Sequence, residues 1–150
     1  MEHDLEAFFA DYTDSYNQAL GDDPDFDRIR SYFTDQFLAA GPDGVQAASN
    51  DDGFLAQLKE GYKFYRAIRT RQMYLRRVAV TRIDDGHAMA RVFYTADYAR
   101  PAGDPVVIDF DVTYLLETFG TRPRIFAFIA GDEMGLYRRH ALVDDQGRPR

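Results

Sequence analysis

Two carboxylates stand two residues apart in the stretch VVIDFDVTYLLE, at Asp109 and Asp111. Paired carboxylates do general acid–base work when their surroundings push their proton affinities apart. The flanking pattern bears on whether these two can. Ile108, Phe110, Val112, Tyr114 and Leu116 alternate with Asp109, Asp111, Thr113, Leu115 and Glu117, which reads as a β-strand with one face on a core. Turning the aspartates inward would desolvate two neighbouring charges while exporting large apolar groups. The alternation therefore predicts Asp109 and Asp111 on the outer face, within reach of arginines such as Arg77 or Arg91 on adjacent strands. The inner face then carries Val112 and the hydroxyl of Tyr114. In HAMARVFYTADY the same alternation turns Ala88, Ala90, Val92, Tyr94, Ala96 and Tyr98 inward. Aromatic surface with a few polar tips is the usual lining of a small-molecule site, and Ala88 and Ala90 would leave it room. The competing expectation is a filled interior, since 12 Phe and 10 Tyr are available to pack it.

Other chemistry is sparse. The three histidines, His3, His87 and His140, show no i, i+4 spacing for a metal, and the absence of cysteine removes thiolate ligands and nucleophiles. No phosphate loop, dinucleotide fingerprint or nucleophile elbow occurs, so the residues require no cofactor and no metal. The net charge of -7 argues against a nucleic-acid partner. Arg66, Arg69, Arg71, Arg76 and Arg77 form a local exception, which reads as a helix end complementing its dipole. Lys59 and Lys63 are the only lysines, a hint of bacterial coding bias. The opening MEHDLEAFF has no signal-peptide pattern, and no apolar run approaches the roughly 20 residues needed to span a bilayer. The expectation is a cytoplasmic protein with no membrane partner.

The elements that must position the inner face begin with HDLEAFFADYTDSYNQALG, an amphipathic helix. Its stripe holds Leu5, Phe8, Phe9, Tyr12, Tyr16, Ala19 and Leu20, and Gly21 stops it. A short second helix follows, with Asp23 as cap and Pro24 in its first position. GPDG at 41–44 is turn chemistry after a short strand at 36–39. A third helix follows, capped by Ser49 with Asp52 three residues on; Gly61 lies inside it and would permit close packing. From Met73 the period becomes two, giving four strands, the first pair joined by Asp84-Asp85-Gly86. In the last strand Ile125, Ala127 and Ile129 compete with Phe126 and Phe128 for the inner face. DEMGLYRRHAL closes with a short helix, residues 1–143 make one domain, and 144–150 should fray. The class is α+β, with three helices segregated to one face of a bent antiparallel sheet.

This element order, with the local pattern YFTDQFLAAGPDG, resembles the nuclear transport factor 2-like superfamily, including its SnoaL-like and ketosteroid isomerase-like members. The resemblance covers nearly the whole chain. It implies a cystatin-like roll: a cone-like curved sheet whose concave face is covered by three helices, with a pocket between them. It also implies binding of a small hydrophobic molecule, with isomerase, cyclase or dehydratase activity among the functions of relatives. The alternative is a non-catalytic dimeric interaction domain of the same fold. In the isomerases a carboxylate base precedes the proline of the turn; here that residue is Gly41, which cannot accept a proton. Asp43 belongs to the turn. Tyr16 matches the isomerases' oxyanion-donor tyrosine when one residue is inserted, or is simply part of the helix stripe. Their late-strand aspartate falls on Asp109 or on Val112, depending on how the strand is counted. The ligand-facing set is thus Tyr16, Tyr94, Val112 and Tyr114. The resemblance further implies a homodimer through the outer sheet face, where Phe93 and Leu75 stand among polar neighbours.

Overall fold

The computed structural model describes residues 4–150, so His3 lies outside the described residues. The first helix, α1 (Leu5–Leu20), is capped by Asp4, whose carboxylate accepts from the Ala7 amide at 3.1 Å. It buries Leu5, Phe8, Phe9 and Ala19. Thr13 and Ser15 are also buried, and each hydroxyl donates back to a carbonyl of the helix itself, at 2.7 and 2.6 Å. In α2 (Phe26–Arg30) the cap is Asp25, reaching the Arg28 amide at 3.0 Å. Asp23 was expected there, but Pro24 stays outside the helix and biases the residue before it toward extended backbone.

The GPDG turn is correct, yet both its flanks are strands: β1 (Phe33–Gly41) and β2 (Gly44–Ser49) form a hairpin closed by Gly41 opposite Gly44. Gly44 has φ +118°, a conformation that requires glycine. β2 is an edge strand exposed along nearly its whole length, so no buried face imposes an alternation that sequence reading can detect. Ser49 belongs to this strand, paired with Gln36. The cap of α3 (Asp52–Ala67) is Asp51 instead, accepting from Gly53 and Phe54.

The long strands follow: β3 (Thr70–Asp84), β4 (His87–Tyr98), β5 (Val106–Glu117) and β6 (Arg124–Ala130). The sheet order is β2-β1-β6-β5-β4-β3. All neighbours are antiparallel except β1 and β6, which run parallel. The sheet is therefore mixed and six-stranded: it has one strand, β2, beyond the short strand and the four long ones read from sequence, and one parallel pair. Register shifts bend it. One, between Leu75 and Arg77, turns Leu75 inward opposite Tyr94, correcting its expected place on the outer face. Another, between Leu115 and Leu116, resolves the competition within β6. Ile125 faces the helices before the irregularity, Phe128 and Ala130 after it, and Ala127 and Ile129 turn outward.

Helix α4 (Glu133–Arg139) is capped by Asp132. The segment expected to fray is tied down. Asp144 accepts from the Gln146 and Arg148 amides, Val143 bridges to Pro149, and Leu142 and Val143 are buried. Among the described residues no helix is long and apolar enough to cross a membrane.

Candidate functional site: a tyrosine-walled cavity with one carboxylate

The concave face of the sheet and the helices over it do not close completely. A cavity of about 280 Å³ remains between α1, α3, α4 and the inner faces of β3 to β6. Tyr16, Tyr94, Val112 and Tyr114, which come from three different elements, all line it. α1 contributes Tyr12 and Tyr16 one turn apart. The strands contribute Tyr94, Tyr98, Phe110, Val112 and Tyr114 because alternation turns these side chains to one face. Eight of the ten tyrosines border this space; Tyr32 and Tyr74 are the two that do not.

Ala88 and Ala90 were expected to provide the room. They are buried in the sheet–helix core and do not border the cavity. The small residues that border it are Gly61 and Ala130. A Cβ added at Gly61 would meet nothing within 4 Å, so this glycine faces open volume and not the close contact expected of it.

The phenols form short chains. The Tyr94 and Tyr114 hydroxyls are 2.9 Å apart. The Tyr16 ring lies 5.2 Å from Tyr62 and 5.6 Å from Tyr65, centroid to centroid. Burial is the main cause of a raised proton affinity throughout this wall. It pushes Tyr12 and Tyr98 up to about 12, and raises Tyr16, Tyr62, Tyr65, Tyr94, Tyr114 and Tyr137 as well. These hydroxyls stay neutral near neutral pH and act as hydrogen-bond donors and acceptors.

The residue that sequence reading missed is Glu133. It opens α4 and lines the cavity, and among the described residues it is the one charged side chain that does. Desolvation raises its proton affinity, and among the described residues no ion pair or hydrogen bond to the carboxylate offsets it. Its charge in turn raises the proton affinities of Tyr12, Tyr65, Tyr98, Tyr114 and Tyr137. In isolation an acid at a helix start reads as a favourable dipole contact. The available signal was its i, i+4 spacing to Tyr137, which places the carboxylate on the inward face of α4.

Asp109 and Asp111 lie on the outer face, as the alternation predicts. Asp109 accepts from the Thr95 hydroxyl at 2.6 Å and lies 3.8 Å from Arg76, and Asp111 pairs with Arg91 at 2.8 Å. Val112 takes the inward place near them. Gly41 ends β1 outside the cavity wall, and Asp43 is exposed in the turn. His87 sits at the far end of the β3–β4 hairpin, 2.8 Å from Asp84. Among the described residues no three metal-ligating side chains converge.

Residues 2–133 match the family model described as NTF2-like protein (DUF6841). The chain belongs to this NTF2-like family. No curated protein matches it by sequence. Among solved structures, this NTF2-like protein is similar to the β subunit of benzoate 1,2-dioxygenase from Burkholderia mallei. The TM-score is 0.66 at 14% identity, covering 97% of this chain and 98% of that one. Aln2 from a Streptomyces species gives 0.64 at 14% identity over 90% and 92%. A ketosteroid isomerase-like protein from Erwinia carotovora atroseptica gives 0.59 at 18% identity over 85% and 92%. At these identities the likeness concerns the fold, which many chemistries share.

Proposed function

We propose that this NTF2-like protein binds a small hydrophobic metabolite in the tyrosine-walled cavity and transfers a proton within it. The reaction would be of isomerase, cyclase or dehydratase type. One observation carries the reading: among the described residues a single carboxylate of raised proton affinity, Glu133, faces an otherwise uncharged aromatic cavity. A carboxyl group whose proton affinity is raised by desolvation is suited to both taking and giving a proton. The neutral phenols of Tyr94 and Tyr114 can donate to a developing oxyanion, a role available only to groups that remain protonated. The turn-borne base of the ketosteroid isomerases has no counterpart at Gly41, so this protein should not isomerise a β,γ-unsaturated ketosteroid by that route. Binding is testable without knowing the metabolite. The wild-type protein should bind a neutral ring compound such as 2-naphthol, followed by saturation-transfer NMR. Gly61→Phe should abolish the signal by filling the space that Gly61 leaves open. Binding that is absent, or indifferent to Gly61→Phe, would remove the cavity from consideration.

A second proposal concerns a second copy of the chain. The outer sheet face carries laterally adjacent apolar residues Ala47, Leu38, Ala127, Leu115 and Met89, one from each of five strands. Beside them runs the row Val45, Ala40 and Ile129. Leu38, Val45 and Ile129 are among the most exposed large apolar side chains. The Arg91–Asp111 and Arg76–Asp109 pairs stand on the same face. A mixed-charge apolar face can be self-complementary about a two-fold axis. Both ion pairs form within one chain and do not need a partner. Light scattering should give a dimer mass that Ile129→Asp converts to a monomer; a monomeric wild type would end this proposal.

A further inference from the structure

Among the described residues twenty line the cavity, and none of them is lysine, arginine or histidine. Among these residues the only formal charge is the Glu133 carboxylate, raised in proton affinity by desolvation, and no described residue gives it a hydrogen bond or an opposite charge. An ionised carboxylate in such surroundings is costly unless paired. Neutral ligands leave it unpaired, and anionic ligands add a like charge at close range. A cation resolves the imbalance. The rings around the carboxylate supply a second attraction, because aromatic faces are electron-rich and favour cations desolvated against them. Tyr98 and Tyr137 lie 6.0 Å apart, and Tyr65 lies 5.4 Å from Tyr62, centroid to centroid; Tyr65, Tyr98 and Tyr137 all feel the charge of Glu133.

We propose that the ligand of this cavity is a small protonated amine on an apolar body. Its ammonium group pairs with Glu133 among Tyr65, Tyr98 and Tyr137, and its apolar part lies toward Phe110 and Phe128. This assignment rests on the reading of the cavity as a ligand site and specifies the chemical class of that ligand. The volume of about 280 Å³ lies at the lower limit of ordinary ligand sites, which suits a single ring with a short aminoalkyl arm. A bound ammonium also holds Glu133 in its ionised form, the form that can accept a proton from the ligand.

The test compares three ligands of one shape and different charge: phenethylamine, phenethyl alcohol and phenylacetate. Each is titrated calorimetrically into the full chain at neutral pH. We expect wild type to bind phenethylamine at least about tenfold tighter than the alcohol, a difference of about 1.4 kcal/mol. Phenylacetate should bind most weakly. Glu133→Gln should erase the preference for the amine over the alcohol. Alcohol binding as tight as amine binding to wild type overturns the amine assignment but leaves a ligand site standing. An amine preference that survives in Glu133→Gln overturns it as well. Failure of all three ligands to bind overturns both the assignment and the ligand-site reading. The wild-type comparison decides the matter even if the variant does not fold.

Discussion

Tyrosine and carboxylate meet twice in this molecule, with opposite results. At the α1–α2 junction the Tyr32 hydroxyl hydrogen-bonds Asp11, and Arg28 reaches Asp11 at 2.7 Å, Asp14 at 3.1 Å and the Tyr32 oxygen at 3.2 Å. The Arg122 guanidinium lies 5.0 Å from the Tyr32 ring centroid. Every charge there has a partner. The hydrogen bond from Tyr32, followed by the pull of Arg28, holds the Asp11 carboxyl below its usual range. In the cavity the phenols are more numerous, yet among the described residues Glu133 has no ion-pair or hydrogen-bond partner, and its proton affinity rises. The junction uses this chemistry to fix one helix to another. The cavity leaves it incomplete, which is the condition in which a ligand can complete it.

The largest effect should come from breaking the junction. Tyr32 is 1% exposed and packs edge-on against Phe8 and Tyr12. Tyr32→Ala removes that packing and the Asp11 hydrogen bond together, and should cost about 3–5 kcal/mol. Tyr16→Ala, whose ring already borders empty space, should cost clearly less. Urea denaturation of both variants measures the difference; equal losses would mean that the cavity wall is as tightly packed as the junction.

The two regions also differ in how far the sequence reveals them. β4 and β5 are legible because one face of each is buried, so the alternation of inward Val92 and Val112 with outward Arg91 and Asp111 carries the fold in plain view. β2 is not, because an edge strand exposed along nearly its whole length has no buried face to advertise, and of β1 only the part at 36–39 was read. Leu75 and the β6 residues mislead because a bulge shifts the period within a single strand. The wall tyrosines were readable strand by strand. Glu133 was not, since its neighbours in sequence describe only a helix start, and its meaning arises where α4 closes over residues 12 to 114. The junction was equally invisible: Asp11, Arg28 and Arg122 are separated along the chain, and each reads alone as a solvated charge.

A smaller effect distinguishes hydrogen bonding from packing at the junction. Tyr32→Phe keeps the ring and leaves Asp11 and Arg28 without the hydroxyl. A hydrogen bond to a charged group is worth about 1.5–3 kcal/mol, and Asp11's partial exposure places the expected loss at the lower end of that range. A loss as large as that of Tyr32→Ala would refute this division.

The cavity should respond in the opposite direction. Gly61 sits within α3 with nothing near its absent side chain. Gly61→Ala should therefore stabilise the protein by about 1 kcal/mol through helix propensity alone, with no clash to offset it. Thermal unfolding would show a higher midpoint, and a lower one would mean that the helix needs the glycine for a reason other than space.

The subtlest contrast lies in pH dependence, where the two carboxylates should have opposite signs. Asp11 has a folded-state affinity below its ordinary 3.8. Its contribution to stability is present above that value and is lost as pH falls through the lower, folded one. Glu133 has a folded-state affinity above its ordinary 4.5. Its contribution is fully present below 4.5 and is lost as pH rises through the higher, folded value. Subtracting each variant from wild type isolates one group from all others that titrate. The stability advantage of wild type over Asp11→Asn should shrink as the pH is lowered below 3.8 and the carboxyl takes up its proton. Relative to wild type, Glu133→Gln should gain stability as the pH rises toward about 8, because the amide never has to ionise in a desolvated site. Denaturant titrations across this range supply both difference curves. If the two slopes share a sign, Glu133 is paired after all, and the cavity is a second junction rather than an open site.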